Sequence, residues 1–196
     1  MPPIDISADN FFEADWGAHL TTLGIGLIVG FMLVGCAGSN HRLNELKNSD
    51  DRILVQHVPF YPDDRYWCGP ATLTALLNFH GSDVSIETVA DKIYSKSAQG
   101  TITFDMVWYA EETGHDVVEK HGDLSDISEW LKRGHPVIVF TDSGNIFYSS
   151  YHYMVVIGLS EDKVIVNSGE TQGKVLSRED FQSAWSGGNN WMMVVK

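Results

Sequence analysis

The chain has 196 residues and carries 13 Lys plus Arg against 26 Asp plus Glu, a formal net charge of −13. Apolar residues make up 43% and charged residues 20%, which excludes a disordered chain and suits one domain with a substantial core. The acidic balance argues against nucleic acid as a partner, and two cysteines supply neither a disulfide scaffold nor a cysteine-rich zinc site.

From Leu20 to Gly35 the chain is uncharged and apolar. Sixteen residues fall short of the roughly 20 a membrane span needs and suit the core of a signal peptide. The run ends in Leu33-Val34-Gly35-Cys36, which resembles the lipobox of bacterial lipoproteins. That resemblance implies cleavage before Cys36, a diacylglycerol on its sulfur, and a protein held at the non-cytoplasmic side of the cell envelope. Residues 1–35 are then a signal peptide, 36–52 a lipid-anchored tether and 53–196 the working domain. The lead-in departs from a basic signal start: it holds Asp5, Asp9, Glu13 and Asp15 and no Lys or Arg. An uncleaved single-span anchor is the competing reading.

In chain order, Arg42–Asn48 reads as a short helix or linker and Ile53–His57 as a strand. A proline-bearing polar loop leads to Cys68–Phe79, where Leu73, Leu76 and Leu77 have helical spacing and Gly81 marks the stop. Ser85 is placed to cap a second helix through Tyr94, and Thr103 a third that ends before Gly114. Asp126–Arg133 fits a fourth helix, stopped by Gly134. Pro136–Phe140, Tyr151–Leu159 and Lys163–Asn167 are rich in Val, Ile and Tyr and read as strands. Ser177 begins a last helix to Trp185, and Trp191–Val195 closes the chain as a strand. Helices first and antiparallel strands second make an α+β domain.

Two residues stand out chemically. Cys68 sits where a loop becomes a helix, with Pro70 suited to the first turn. Unpaired backbone N–H groups and the positive end of the macrodipole there are expected to lower the thiol pKa and so activate a nucleophile. His152 is one imidazole on an otherwise apolar strand, Tyr151–Leu159, the rigid and partly desolvated setting a general base needs. The remaining histidines of the domain have blander settings: His80 lies near a helix end, His135 in a turn, and His115 and His121 flank a polar segment. Trp67 is placed to wall a substrate groove, whereas Trp130, Trp185 and Trp191 fall at core positions. Asp63-Asp64 has no partnering His or Glu at ligand spacing and reads as a solvated acidic loop, so no metal is expected.

Cys68-Gly69-Pro70-Ala71-Thr72-Leu73, followed far downstream by His152-Tyr153-Met154-Val155-Val156-Ile157-Gly158, resembles the papain-like peptidases of the bacteriocin-processing, or double-glycine leader peptidase, family. The Val58-Pro59-Phe60-Tyr61-Pro62 lead-in, Gly134-His135-Pro136-Val137 and the closing Trp191 strand extend it over most of Val58–Val195. The likeness is greatest to stand-alone lipoprotein-type members. It implies a papain-like fold, with the nucleophile helix packed on an antiparallel sheet that carries the histidine, and a cysteine peptidase needing no cofactor and acting on a peptide or protein.

The resemblance also implies a third catalytic residue about fifteen positions after the histidine. Alignment puts Ser168 there with Asn167 beside it. Asn167 is the expected orienter, since a side-chain carbonyl can accept the Nδ1–H bond of His152; Ser168 is the alternative. The family's oxyanion glutamine falls at Asp63 or Pro62, which leaves the Cys68 backbone N–H as the oxyanion donor. An ionised Asp63 cannot donate a hydrogen bond and opposes a thiolate. A peptide-binding module with weakened or absent catalysis, and an acyl or peptidyl transferase of the same clan, are therefore the competing readings.

Overall fold

Unbroken apolar runs such as Tyr153–Leu159 call for strands covered on both faces, because every second residue of a half-exposed strand would meet water. The computed structural model describes residues 52–63, 66–144 and 150–196 and builds those runs into one sheet. The elements are β1 (Ile53–Leu54), α1 (Cys68–Phe79), α2 (Ile86–Ile93), β2 (Tyr94–Ser95), β3 (Gly100–Thr101), α3 (Thr103–Glu112) and β4 (Val117–His121). There follow α4 (Leu124–Lys132), β5 (Val137–Asp142), β6 (Tyr151–Leu159), β7 (Lys163–Ser168), β8 (Thr171–Ser177), α5 (Arg178–Gly187) and β9 (Trp191–Val195). The predicted address segment with Cys36, and the Arg42–Asn48 helix, lie outside the described residues. Among the described residues no helix is long and apolar enough to cross a membrane.

Seven strands form an antiparallel sheet in the order β4-β9-β5-β6-β7-β8, with β1 pairing β6 beyond the end of β5. β2 and β3 form a separate two-stranded ribbon. Every residue from Tyr153 to Leu159 is buried, as are Val164–Asn167 and Trp191–Val195, so both faces of the central strands are covered. Helix α1 is buried from Cys68 to Leu77, with Leu73, Leu76 and Leu77 fully enclosed, and it packs on β6, α2 and α3. Helix α5 packs on β5, where Trp185 is fully buried and donates its indole N–H to the Trp191 carbonyl at 2.8 Å. The result is an α+β arrangement with the Cys68 helix packed on an antiparallel sheet.

Several local expectations change. Ser85 and Ser177 do cap, accepting from Thr88 N and Asp180 N at 3.2 and 3.0 Å. Thr103, however, is the first residue of α3; Ile102 holds the cap position and offers no side-chain acceptor. Helix α4 starts earlier than the Asp126 predicted, because Asp123 and Asp126 form a reciprocal capping box around its first turn. The first strand stops at Leu54, short of the predicted His57, where the backbone turns to positive φ. Strands β4 and β8 depart from the sequence expectation: neither holds a fully buried residue, and they pair along the edges that β9 and β7 present.

Candidate active site

Cys68 is the first residue of α1, and the helix leaves the N–H groups of Cys68 and Gly69 unused. Gly69 is required by close approach: a Cβ there would lie 2.5 Å from Thr101 Cβ, so only glycine lets β3 close over the start of the helix. His152 enters from the middle of the sheet. It lies opposite Thr141 of β5, whose hydroxyl donates to the His152 carbonyl at 2.9 Å and pins the backbone at the imidazole.

These elements bring together groups far apart in sequence. Ligating atoms of Asp63, Cys68 and His152 all lie within 4.8 Å of one another, with Cys68 buried and the other two half-buried. Asp63 is held on a loop by its backbone N–H, which donates to the Gly169 carbonyl at 3.2 Å. The Asp63 loop is thus part of the site and not a detached solvated acidic loop. The partner of His152 is Ser168, whose Oγ lies 3.0 Å from Nε2.

Asn167, the expected orienter, is turned elsewhere. It is 3% exposed, and its carbonyl accepts the Gly173 N–H at 2.9 Å. Neighbouring strand residues face opposite ways: Asn167 pairs with Val155 of β6, so Ser168 lies on the other face, that of His152. The ring nitrogen is also the other one. Ser168 engages Nε2 and leaves Nδ1 for Cys68, in place of the Nδ1 bond expected of the orienting residue.

The electrostatics run against the expected low thiol pKa. Burial pushes the Cys68 thiol up and the nearby Asp63 carboxylate pushes it further, while the backbone N–H groups of Tyr153, Gly69 and Cys68 pull it down. The helix start does favour the thiolate, as predicted, but desolvation outweighs it. Burial also lowers His152, and the positive charge of Lys174 on β8 adds to that. Both shifts favour the uncharged forms, thiol and imidazole, at neutral pH.

The sulfur opens onto a cleft of about 420 Å³. Its walls include Tyr66, Gly100, Thr101, Phe140, Tyr151 and Tyr153. Phe140 stacks on Tyr151 at 5.3 Å and meets Tyr153 at 4.8 Å, and Tyr153 Oη donates to the Thr101 carbonyl at 3.1 Å. Tyr66, and not the predicted Trp67, is the aromatic residue before Cys68 that lines this cleft. Strand alternation puts Tyr151 and Tyr153 on one face, opposite to that of His152, and nothing in sequence signals Phe140, Thr101 or Lys174, which arrive through tertiary pairing.

A helix-borne cysteine facing a strand-borne histidine on an antiparallel sheet defines the papain-like class. Residues 51–190 match the Peptidase_C39 like family, and the chain belongs to it. No curated protein matches the chain. Among solved structures, the peptidase domain of Streptococcus ComA, a bi-functional ABC transporter involved in a quorum-sensing pathway, is 26% identical with a TM-score of 0.60 and covers 71% of this chain and 98% of its own. A chain from Bacillus anthracis assigned to the C39-like peptidases has 17% identity and a TM-score of 0.65, covering 75% and 98%. A double glycine motif protease from an AMS/PCAT transporter, in complex with its leader peptide, has 18% identity and a TM-score of 0.55, covering 76% and 95%.

Proposed function

We propose that this chain is a cysteine peptidase that hydrolyses a peptide bond through Cys68 and His152. The observation that carries the reading is a single juxtaposition: Cys68, which lines an open cleft, and His152 have ligating atoms within 4.8 Å of each other, with Ser168 Oγ 3.0 Å from the imidazole Nε2. In the tautomer that carries its proton on Nε2, toward Ser168, Nδ1 takes the thiol proton. The thiolate attacks the scissile carbonyl, the Cys68 N–H holds the oxyanion, and the imidazolium returns its proton to the leaving amine. Water then releases the acyl group from the sulfur. A neutral resting pair means that the proton moves during attack, so His152 works as a general base.

The substrate class is a peptide with apolar side chains. Aromatic rings line the cleft, and shortly after the cleft-lining Thr101 the chain exposes Phe104 and Trp108, one turn apart on α3. In the same reading Cys36 carries a lipid, and the domain works at the outer side of a bacterial membrane as a stand-alone lipoprotein, as the lipobox resemblance implies. A second reading has its own support. The Asp63 carboxylate beside the sulfur opposes both thiolate and oxyanion, which favours a peptide-binding module with weakened catalysis.

The test is digestion of a peptide library by the full chain, read by mass spectrometry. Cleavage is expected to vanish in Cys68→Ala and to fall by about 100- to 10,000-fold in His152→Ala. Persistent cleavage in Cys68→Ala overturns the mechanism. Peptide capture without cleavage by the parent selects the binding module.

A further inference from the structure

We infer that Asp63, Cys68 and His152 form a reversible site for a borderline-soft divalent cation of the zinc class, which masks the nucleophile when bound. One thiolate sulfur, one imidazole nitrogen and one carboxylate oxygen converge, their ligating atoms all within 4.8 Å of one another. A tetrahedral zinc ion needs its donors about 3.5 Å apart, given Zn–S near 2.3 Å and Zn–N or Zn–O near 2.1 Å, a closure that side-chain rotation can supply. The donor set selects the metal: sulfur and imidazole disfavour calcium and magnesium, which take oxygen ligands. The metal-facing nitrogen is already set, because Ser168 holds Nε2 at 3.0 Å, as a hydrogen-bonding partner usually fixes a ligating histidine. The three protein donors leave a fourth position for water from the cleft that Cys68 lines.

Charge gives the arrangement its purpose. Asp63 and a Cys68 thiolate repel each other, and a divalent cation placed between them makes both favourable. Binding exchanges the Cys68 thiol proton for the metal: the S–H bond breaks, the S–metal bond forms and one proton leaves to solvent. No change of oxidation state occurs. Spacing along the chain conceals the site, since the donors stand at 63, 68 and 152 on a loop, a helix and a strand. Metal binding stands on geometry alone, while its effect on hydrolysis rests on the peptidase reading above.

The experiment uses the tag-free full chain carrying Cys36→Ser, so that Cys68 is the sole thiol. One equivalent of Co²⁺ is expected to give a thiolate-to-cobalt charge-transfer band that Zn²⁺ removes and that Cys68→Ser lacks. Zn²⁺ is expected to block alkylation of Cys68 by iodoacetamide, and a chelator to restore it. Asp63→Asn is expected to weaken Zn²⁺ binding by at least about tenfold while Cys68 stays alkylatable in metal-free buffer. A missing cobalt band, alkylation indifferent to Zn²⁺, or unchanged Zn²⁺ affinity in Asp63→Asn overturns the inference. The first two arms use the parent side chains at the site and decide the matter even if Asp63→Asn unfolds. Peptide cleavage that Zn²⁺ does not inhibit sinks the metal site alone; a metal-masked thiol that never cleaves a peptide sinks the peptidase reading alone.

Discussion

Cys68 is subject to opposing influences whose balance is measurable. Three backbone N–H groups favour its thiolate, while burial and Asp63 favour the thiol, and the second pair prevails. Alkylation by iodoacetamide is therefore expected to rise with pH through an inflection above that of a free model thiol. Asp63→Asn removes the carboxylate charge and is expected to move that inflection to lower pH, speeding labelling at neutral pH; an unmoved inflection would mean that the charge does not reach the sulfur. The two residues at the end of β7 separate by readout. Ser168→Ala frees the imidazole and is expected to lower kcat by less than the roughly 100-fold or more lost with His152 itself, without loss of stability. Asn167→Ala leaves the buried Gly173 contact unmade and is expected to cost about 1–3 kcal/mol in chemical denaturation.

At the level of elements, two close approaches border the Cys68 cleft. The start of α1 meets β3 only because residue 69 has no side chain. Gly69→Ala is compatible with a helix, so its effect comes from Thr101 alone: β3 must move off the helix, and the cleft changes shape. Peptide cleavage is expected to fall in Gly69→Ala and to recover in part when Thr101→Gly is added; no recovery would place the fault in α1 itself. On the other side, a Cβ at Gly188 would stand 2.0 Å from the Phe140 carbonyl oxygen, a backbone atom that cannot swing away. Gly188→Ala is expected to destabilise the fold by about 1–3 kcal/mol or more, seen as a lowered denaturation midpoint. Phe140 is also a wall of the cleft, so the same change is expected to reach activity.

For the molecule as a whole, burial of titratable groups sets how stability varies with pH. His152 and His80 both have lowered pKa values, first through desolvation, so the folded state binds fewer protons than the unfolded chain. Their contribution is present above the ordinary histidine value of about 6.5 and is lost as pH falls through the lowered folded values. The raised Cys68 thiol acts with the opposite sign: its contribution is complete below the ordinary thiol value and is lost as pH rises through the raised one. Thermal melts across pH are expected to show a maximum between these limbs, and His80→Gln to flatten the acid one. An acid limb of unchanged slope in that variant would remove His80 from the account.

Local chemistry made much of this protein readable from its sequence. Apolar periodicity and capping serines place α1, α2 and α5, unbroken Val and Ile runs place β5, β6 and β7, and a cysteine at a helix start with a histidine on an apolar strand singles out the two residues proposed as nucleophile and base. Those signals are legible because each depends on residues a few positions apart. The rest is decided where distant segments meet. Burial on both faces of β7 erases the alternation that would have shown Ser168, and not Asn167, turning to His152; the register of β7 against β6 makes the choice. Asp63 belongs to the site because its loop is tied to Gly169, more than a hundred residues later. The sign of the Cys68 shift likewise follows from packing, since a helix terminus is a property of sequence but desolvation is a property of everything that surrounds it.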